Sequence, residues 1–230
     1  MVEAAPTPAP TADRAVAPKP LLRGWSHALA AAGAVALTAA LCWASRSDPP
    51  RLVSLLIFGL SMIELYTVSA IYHIGAWRES RKRVLRAVDH ANIFVLIAGT
   101  YTPLCFNLLT GWVRITLLVT IWALALAGVG LAVFTARIPR WVSTGLYIGM
   151  GWVAVLALPA LAAAVPWTAL ATLVGGGLLY TVGAVIYGLK WPNPFPRVFG
   201  FHELFHAFVI AGGGAFAVAI WVWALPFPRA

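Results

Sequence analysis

The sequence predicts an all-α integral membrane protein, a bundle of seven transmembrane helices with its N-terminus in the cytoplasm. Three observations carry this. Of the 230 residues, 61% are hydrophobic and only 10% are charged, against about a quarter charged in a soluble domain, so a single water-facing core is excluded. The mean hydropathy of +0.87 comes from long apolar blocks, each near the ~20 residues that cross ~30 Å of hydrocarbon as a helix. The blocks are continuously apolar rather than alternating every second residue, which excludes a transmembrane β-barrel.

Residues 1–20 hold Pro6, Pro8, Pro10, Pro18 and Pro20 among alanines. Such a segment buries too little surface to offset its ordering entropy and reads as a disordered tail. The transmembrane domain fills 21–230, with spans over about 25–44, 52–76, 87–109, 113–134, 141–165, 167–189 and 201–225. Turn and charge signals separate them: Ser47-Asp48-Pro49-Pro50, the basic stretch 78–86, Thr110-Gly111, Arg137-Ile138-Pro139-Arg140, Val165-Pro166, and Pro192-Asn193-Pro194-Phe195-Pro196. Pro103 and Pro159 fall within spans and predict kinks. Gly145 and Gly149 form one GxxxG in the fifth span, which predicts close helix packing within the bundle.

The basic residues give the orientation. Arg14, Lys19, Arg23, Arg78, Arg81, Lys82, Arg83, Arg86, Arg137, Arg140, Lys190 and Arg197 fall on the N-terminal side, and only Arg46, Arg51, Arg114 and Arg229 on the other. This three-to-one excess predicts a multi-pass protein of the cell membrane with its N-terminus inside and, after seven spans, its C-terminus outside. The net charge of +9 is therefore read as a topology and headgroup signal. Nucleic acid is not expected as a partner, because the basic residues sit in short connections and form no basic face interleaved with aromatics. Cys42 and Cys105 show no metal or redox spacing and read as two free thiols.

Polar residues inside spans are costly and need a partner or a task. His73 ends the second span, Asp89 begins the third, and His202 and His206 begin the seventh, so all four belong to the cytoplasmic layer, with His27 at the same level. His202 and His206 are four apart, about 40° around a helix, and project from one face at a spacing suited to chelating one ion. Ser69 and His73 share a face by the same spacing. A third imidazole from His73 would complete a three-histidine set with one open position, which for zinc reads as catalytic. Asp89 could then orient or deprotonate a water acidified by the metal, and Ser69 could hydrogen-bond that water or a developing oxyanion. His27 and His90 read first as interfacial groups bonded to a carbonyl. Glu64 sits mid-span about 180° from His73 and reads as a packing carboxyl rather than a ligand. His202-Glu203-Leu204-Phe205-His206 also matches the H-E-x-x-H of zinc proteases, in which the Glu is general base. That reading ranks low, because no Asp follows Asp89 to complete an intramembrane protease site.

Three ordered motifs, Ser69-Ala70-Ile71-Tyr72-His73, Asp89-His90-Ala91-Asn92-Ile93-Phe94 continuing through Ile97-Ala98-Gly99-Thr100-Tyr101-Thr102-Pro103, and His202-Glu203-Leu204-Phe205-His206, resemble the hemolysin III group of the progestin and adipoQ receptor superfamily, itself similar to alkaline ceramidases. Where that family carries a Thr-His at the first span, this chain reads Arg23-Gly24-Trp25-Ser26-His27. The resemblance implies a seven-helix bundle with a zinc ion held by His73, His202 and His206, and with Asp89 and Ser69 beside it. The leading functional expectation is a zinc-dependent hydrolase of a lipid amide or ester, with membrane lipids as substrates entering from the cytoplasmic leaflet. The alternative is a non-enzymatic membrane-lipid homeostasis factor or receptor in which zinc braces the helices. A pore-forming cytolysin ranks lower, since a constitutive bundle has few amphipathic segments free to insert into another membrane.

Overall fold

The computed structural model describes residues 20–135 and 139–228. The expected tail, apart from Pro20, lies outside the described residues, as do Arg137 and Arg229 of the orientation count. The long elements are all helical: α1 Trp25–Ala44, α2 Pro49–Ile74, α3 Glu79–Leu108, α4 Gly111–Phe134, α5 Arg140–Gly151, a 3-10 segment Trp152–Ala157, α6 Leu158–Ala164, α7 Trp167–Leu189 and α8 Phe201–Ala219, which runs into a π-helical turn Ile220–Ala224. α5, the 3-10 segment and α6 form one span. Among the described residues, seven helical spans are thus long and apolar enough to cross a membrane.

Local chemistry sets several of these ends. At α2 the Asp48 carboxylate accepts from the Arg51 N–H at 3.2 Å, while Pro49 and Pro50 fill the first turn, where a missing N–H is harmless. α3 begins at Glu79 and is 30 residues long, about 45 Å against ~30 Å of hydrocarbon. Its extra turns carry Glu79, Arg81, Lys82 and Arg83, with Lys82 Nζ 3.2 Å from Glu79 Oε1. Far from that end, Arg51 donates to the carbonyls of Leu225 and Phe227 and to Asn107 Oδ1. One guanidinium thereby satisfies the free carbonyls that end the last helix and ties α2 to α3.

Two cores hold the bundle. One gathers Phe94, Ala98, Tyr101, Ile121, Ala125 and Met150 from α3, α4 and α5; the other gathers Leu41, Leu55, Phe58, Tyr66 and Ile220 from α1, α2 and the chain's last helix. Leu29, Trp112, Phe134 and Leu156 stay exposed on the outside, as a lipid-facing surface requires. Helices meet closely where a side chain is missing: a Cβ on Gly59 would come within 2.2 Å of Thr38 Oγ1, and one on Gly128 within 2.4 Å of the Phe94 ring. Gly145 and Gly149 do not make the close packing expected of them. α5 turns Ser143, Thr144, Tyr147 and Met150 inward, so its glycine row faces outward, where an added Cβ would meet nothing within 4 Å.

The fifth span breaks in the turn before its proline, as expected, since a proline ring displaces the carbonyl four residues earlier, here that of Val155. Pro159 lies in the first turn of α6, and the departure from α-helix is the 3-10 segment before it. Tyr101 of α3 braces this break: its hydroxyl accepts from the Ala154 N–H at 2.6 Å and donates to the Gly151 carbonyl at 2.7 Å. Backbone groups released by the break find a partner inside the bundle, as membrane burial demands.

Candidate functional site

The ends of α2 and α8 and the second turn onward of α3 converge on one buried point. α2 brings Ser69 and His73, and α8 brings His202 and His206, with Ser69 2% and His206 1% exposed. The Nε2 atoms of His73 and His202 lie 3.1 Å apart. His73, His202 and His206 each offer a nitrogen, all within 4.8 Å of one another, and could hold a metal ion. Two nitrogens ~2.05 Å from a tetrahedral zinc would be about 3.3 Å apart, so the donor set fits that ion. Asp89 Oδ2 is 3.8 Å from His73 Nε2, and Ser69 is in hydrogen-bonding reach of the Asp89 carboxylate.

Two features were not read from the sequence. His27, expected at the membrane edge, is 2% exposed and stacks flat on His206, with centroids 3.8 Å apart and 13° between planes. It stiffens the rotamer of a candidate ligand. Glu203 is 1% exposed; Arg23 pairs with one of its oxygens and the Gly200 N–H donates to the other at 2.8 Å. Both oxygens are engaged, so the H-E-x-x-H helix presents two histidines to the centre and uses its glutamate as an anchor. The only sequence signal for this pair was that a carboxylate inside a span needs a cation, and several arginines could have supplied it.

The strand of chain before α1 completes the enclosure. Leu21 and Leu22 donate their N–H groups to the carbonyls of Arg197 and Val198 at 3.1 and 3.2 Å, lacing residues 20–24 to the connection ahead of α8. Gly24 turns it into α1 with φ 89°, and a Cβ there would lie 2.9 Å from His73 Cβ. Glu64 is exposed on the outer side of α2, away from the imidazoles. In the amide orientation that satisfies both groups, Asn92 donates to Glu64 Oε1 at 3.2 Å.

A cavity of about 120 Å³ opens from this point into the bundle. His27, Ser69, Asp89, His202 and His206 line one end, and Leu65, Ile93, Ile97, Tyr101, Trp152 and Phe216 line the deeper part. Polar groups thus stand at one end of an apolar pocket between helices, an arrangement that suits an apolar ligand with one reactive group.

A seven-span bundle with a buried histidine cluster under one end defines a class of multi-pass membrane proteins with a candidate metal centre. The chain belongs to the Haemolysin-III related family, whose model matches residues 16–217. It is 38% identical over 178 residues to the "Hemolysin-3 homolog" of Bacillus subtilis (strain 168), covering 76% of this chain and 80% of that one. It is 33% identical over 175 residues to the "Hemolysin-3" of Bacillus cereus, covering 76% of each. The human "Monocyte to macrophage differentiation factor" is 25% identical over 169 residues, covering 72% of this chain and 68% of its own.

Proposed function

We propose that this protein is a zinc-dependent hydrolase of a lipid amide or ester in the cell membrane, with its site on the cytoplasmic side. The observation that carries the reading is the joining of three convergent imidazoles and an Asp89–Ser69 pair to an apolar cavity. His73, His202 and His206 would hold the ion, which when bound supplies a Lewis acid for a carbonyl oxygen and lowers the pKa of a water. Asp89 takes the proton from the attacking water and returns it to the leaving nitrogen or oxygen, so that a carboxylic acid and an amine or alcohol are released. Ser69 donates to the Asp89 carboxylate and so orients it; once Asp89 carries the proton it can donate back, which frees the Ser69 O–H for the developing oxyanion. Leu65, Ile93 and Ile97 hold the acyl chain and exclude water from the site. Glu203 has no part in the chemistry, since both its oxygens are taken.

A second reading has one observation in its favour: the three imidazoles come from α2 and α8 alone, so an ion there would also brace those helices. Elemental analysis of the purified protein, together with turnover of a panel of lipid amides and esters, separates the two. His206→Ala should lose the metal. Asp89→Asn should keep metal and fold while turnover falls by about 10²- to 10⁴-fold. Undiminished turnover in a metal-retaining Asp89→Asn variant would overturn the hydrolase reading. Absence of turnover in the zinc-loaded wild type, with a melting temperature that falls on chelation, would leave the brace.

A further inference from the structure

A second polar cluster stands where α3, α5 and α7 meet: His90, Thr144 and Tyr187 line the cavity there and Arg140 packs against Tyr187 just outside that lining, and the chemistry proposed above uses none of it. Arg140 opens α5 with its guanidinium over the Tyr187 ring, 4.8 Å from the centroid. The Tyr187 hydroxyl lies 3.2 Å from His90 Nε2, and His90 Nδ1 lies 2.8 Å from the Arg86 carbonyl. The carbonyl makes Nδ1 the donor, so Nε2 accepts from Tyr187. One turn along α5, Thr144 lines the cavity and is 7% exposed.

Arg140 Nη1 and Thr144 Oγ1 are both buried, and neither finds a hydrogen-bond partner among the described residues. This sets Thr144 apart from Thr100 and Thr181, which line the same cavity and donate to the carbonyls of Leu96 and Gly177, four residues earlier. Arg140 forms no ion pair among the described residues, while Asp89, the nearby carboxylate, is turned toward Ser69 and His73. A buried guanidinium N–H with no acceptor is expensive. Its neighbour is a second donor, so the missing group is an acceptor with charge to offset the arginine. Arg140 begins its span and so lies at headgroup depth, whereas the reacting carbonyl belongs by the imidazoles. At that depth the anionic group of a lipid is its phosphate, which arginine recognises through parallel N–H bonds.

We propose that Arg140 and Thr144, backed by Tyr187 and His90, form a phosphoryl-binding subsite at the mouth of the cavity, and that the lipid it admits is a phospholipid rather than a neutral ceramide-like lipid. This rests on reading the cavity as a lipid pocket, but not on turnover there. The shared chemistry is a phosphoryl group, so free phosphate is tested beside the lipid.

The test is the thermal unfolding of the full chain in detergent, with titrations of dioleoyl phosphatidic acid, the diacylglycerol of the same chains, oleate and inorganic phosphate. Phosphatidic acid is expected to stabilise the wild type at concentrations at least tenfold below those of diacylglycerol or oleate. Arg140→Gln should erase that preference, Arg140→Lys should keep part of it, and the isosteric Thr144→Val should weaken it several-fold. Arg83→Gln, in an exposed residue of α3 outside the cavity, should leave it intact and so exclude general attraction to basic loops. A preference that survives Arg140→Gln, or equal effects of phosphatidic acid and diacylglycerol, overturns the proposal, as does oleate matching phosphatidic acid. Arg140-dependent stabilisation by inorganic phosphate alone keeps the subsite and overturns its assignment to a lipid. Wild-type protein that binds phosphatidic acid in an Arg140-dependent way yet turns over no lipid amide or ester would overturn the hydrolase reading and keep the subsite.

Discussion

Glu203 and His206 are three positions apart on one helix, and their surroundings send them to different tasks. The imidazole meets His27, His73 and His202, while the carboxylate is locked by Arg23 and the Gly200 N–H. Glu203→Gln keeps an oxygen for one of the two donors and turns an NH2 toward the other, and it should still leave metal content unchanged and turnover close to that of the wild type; a protease-type general base would lose all turnover in the same variant. Arg23→Ala is the harsher change. It leaves a fully buried carboxylate without its cation, a loss of about 3–5 kcal/mol where pairs are buried, and Arg23 is itself largely covered. A melting temperature for Arg23→Ala no lower than for Glu203→Gln would refute the anchor. At this scale the sequence was legible in spacing: the i,i+4 pair His202 and His206 and the Ser69–His73 pair name side chains that the fold brings together. It was silent on Arg23, because a pair 180 residues apart leaves no periodic trace.

The elements themselves follow from apolar runs and their stop signals, and the seven long blocks of the sequence correspond to seven helices. What the runs do not contain is rotation about each axis. In α5 the polar residues Ser143, Thr144 and Tyr147 share one side, but the sequence does not say whether that side meets the bundle, and only the structure turns it inward with Gly145 and Gly149 pointing out. The break in the same span falls ahead of Pro159 and is braced from outside by Tyr101 on α3. Tyr101→Phe keeps the ring and removes the hydroxyl shared by the Ala154 N–H and the Gly151 carbonyl. Groups stranded in this way cost about 1–3 kcal/mol, so its unfolding temperature in detergent should drop. Thr172→Val, which removes only an exposed back-bond to Thr168 on α7, should be neutral by comparison. Equal stability of the two variants would mean that the 3-10 segment holds itself.

For the whole molecule, orientation decides which membrane leaflet meets the site. On the orientation expected from the basic residues, with the N-terminus inside, the imidazoles and the cluster around Arg140 would face the cytoplasmic leaflet, and Arg51 with the chain's last carbonyls would face out. Reporter fusions at the C-terminal end and in the connection between α2 and α3 should therefore report opposite sides, and a shared side would remove the cytoplasmic assignment. Composition by itself determined that the chain lives in a membrane, because 61% hydrophobic residues in blocks of helical span length have no other solvent. Spacing determined which imidazoles lie on one helix face, because side-chain direction repeats with the turn. Only the tertiary structure decided that His27 stacks on His206, that Glu203 belongs to Arg23, and that, among the described residues, Arg140 Nη1 and Thr144 Oγ1 are buried without a hydrogen-bond partner. Each of these depends on how helices far apart in the chain rotate and pack against one another, and helices that are apolar on every side leave that choice to the fit of glycines, rings and buried charges across their interfaces.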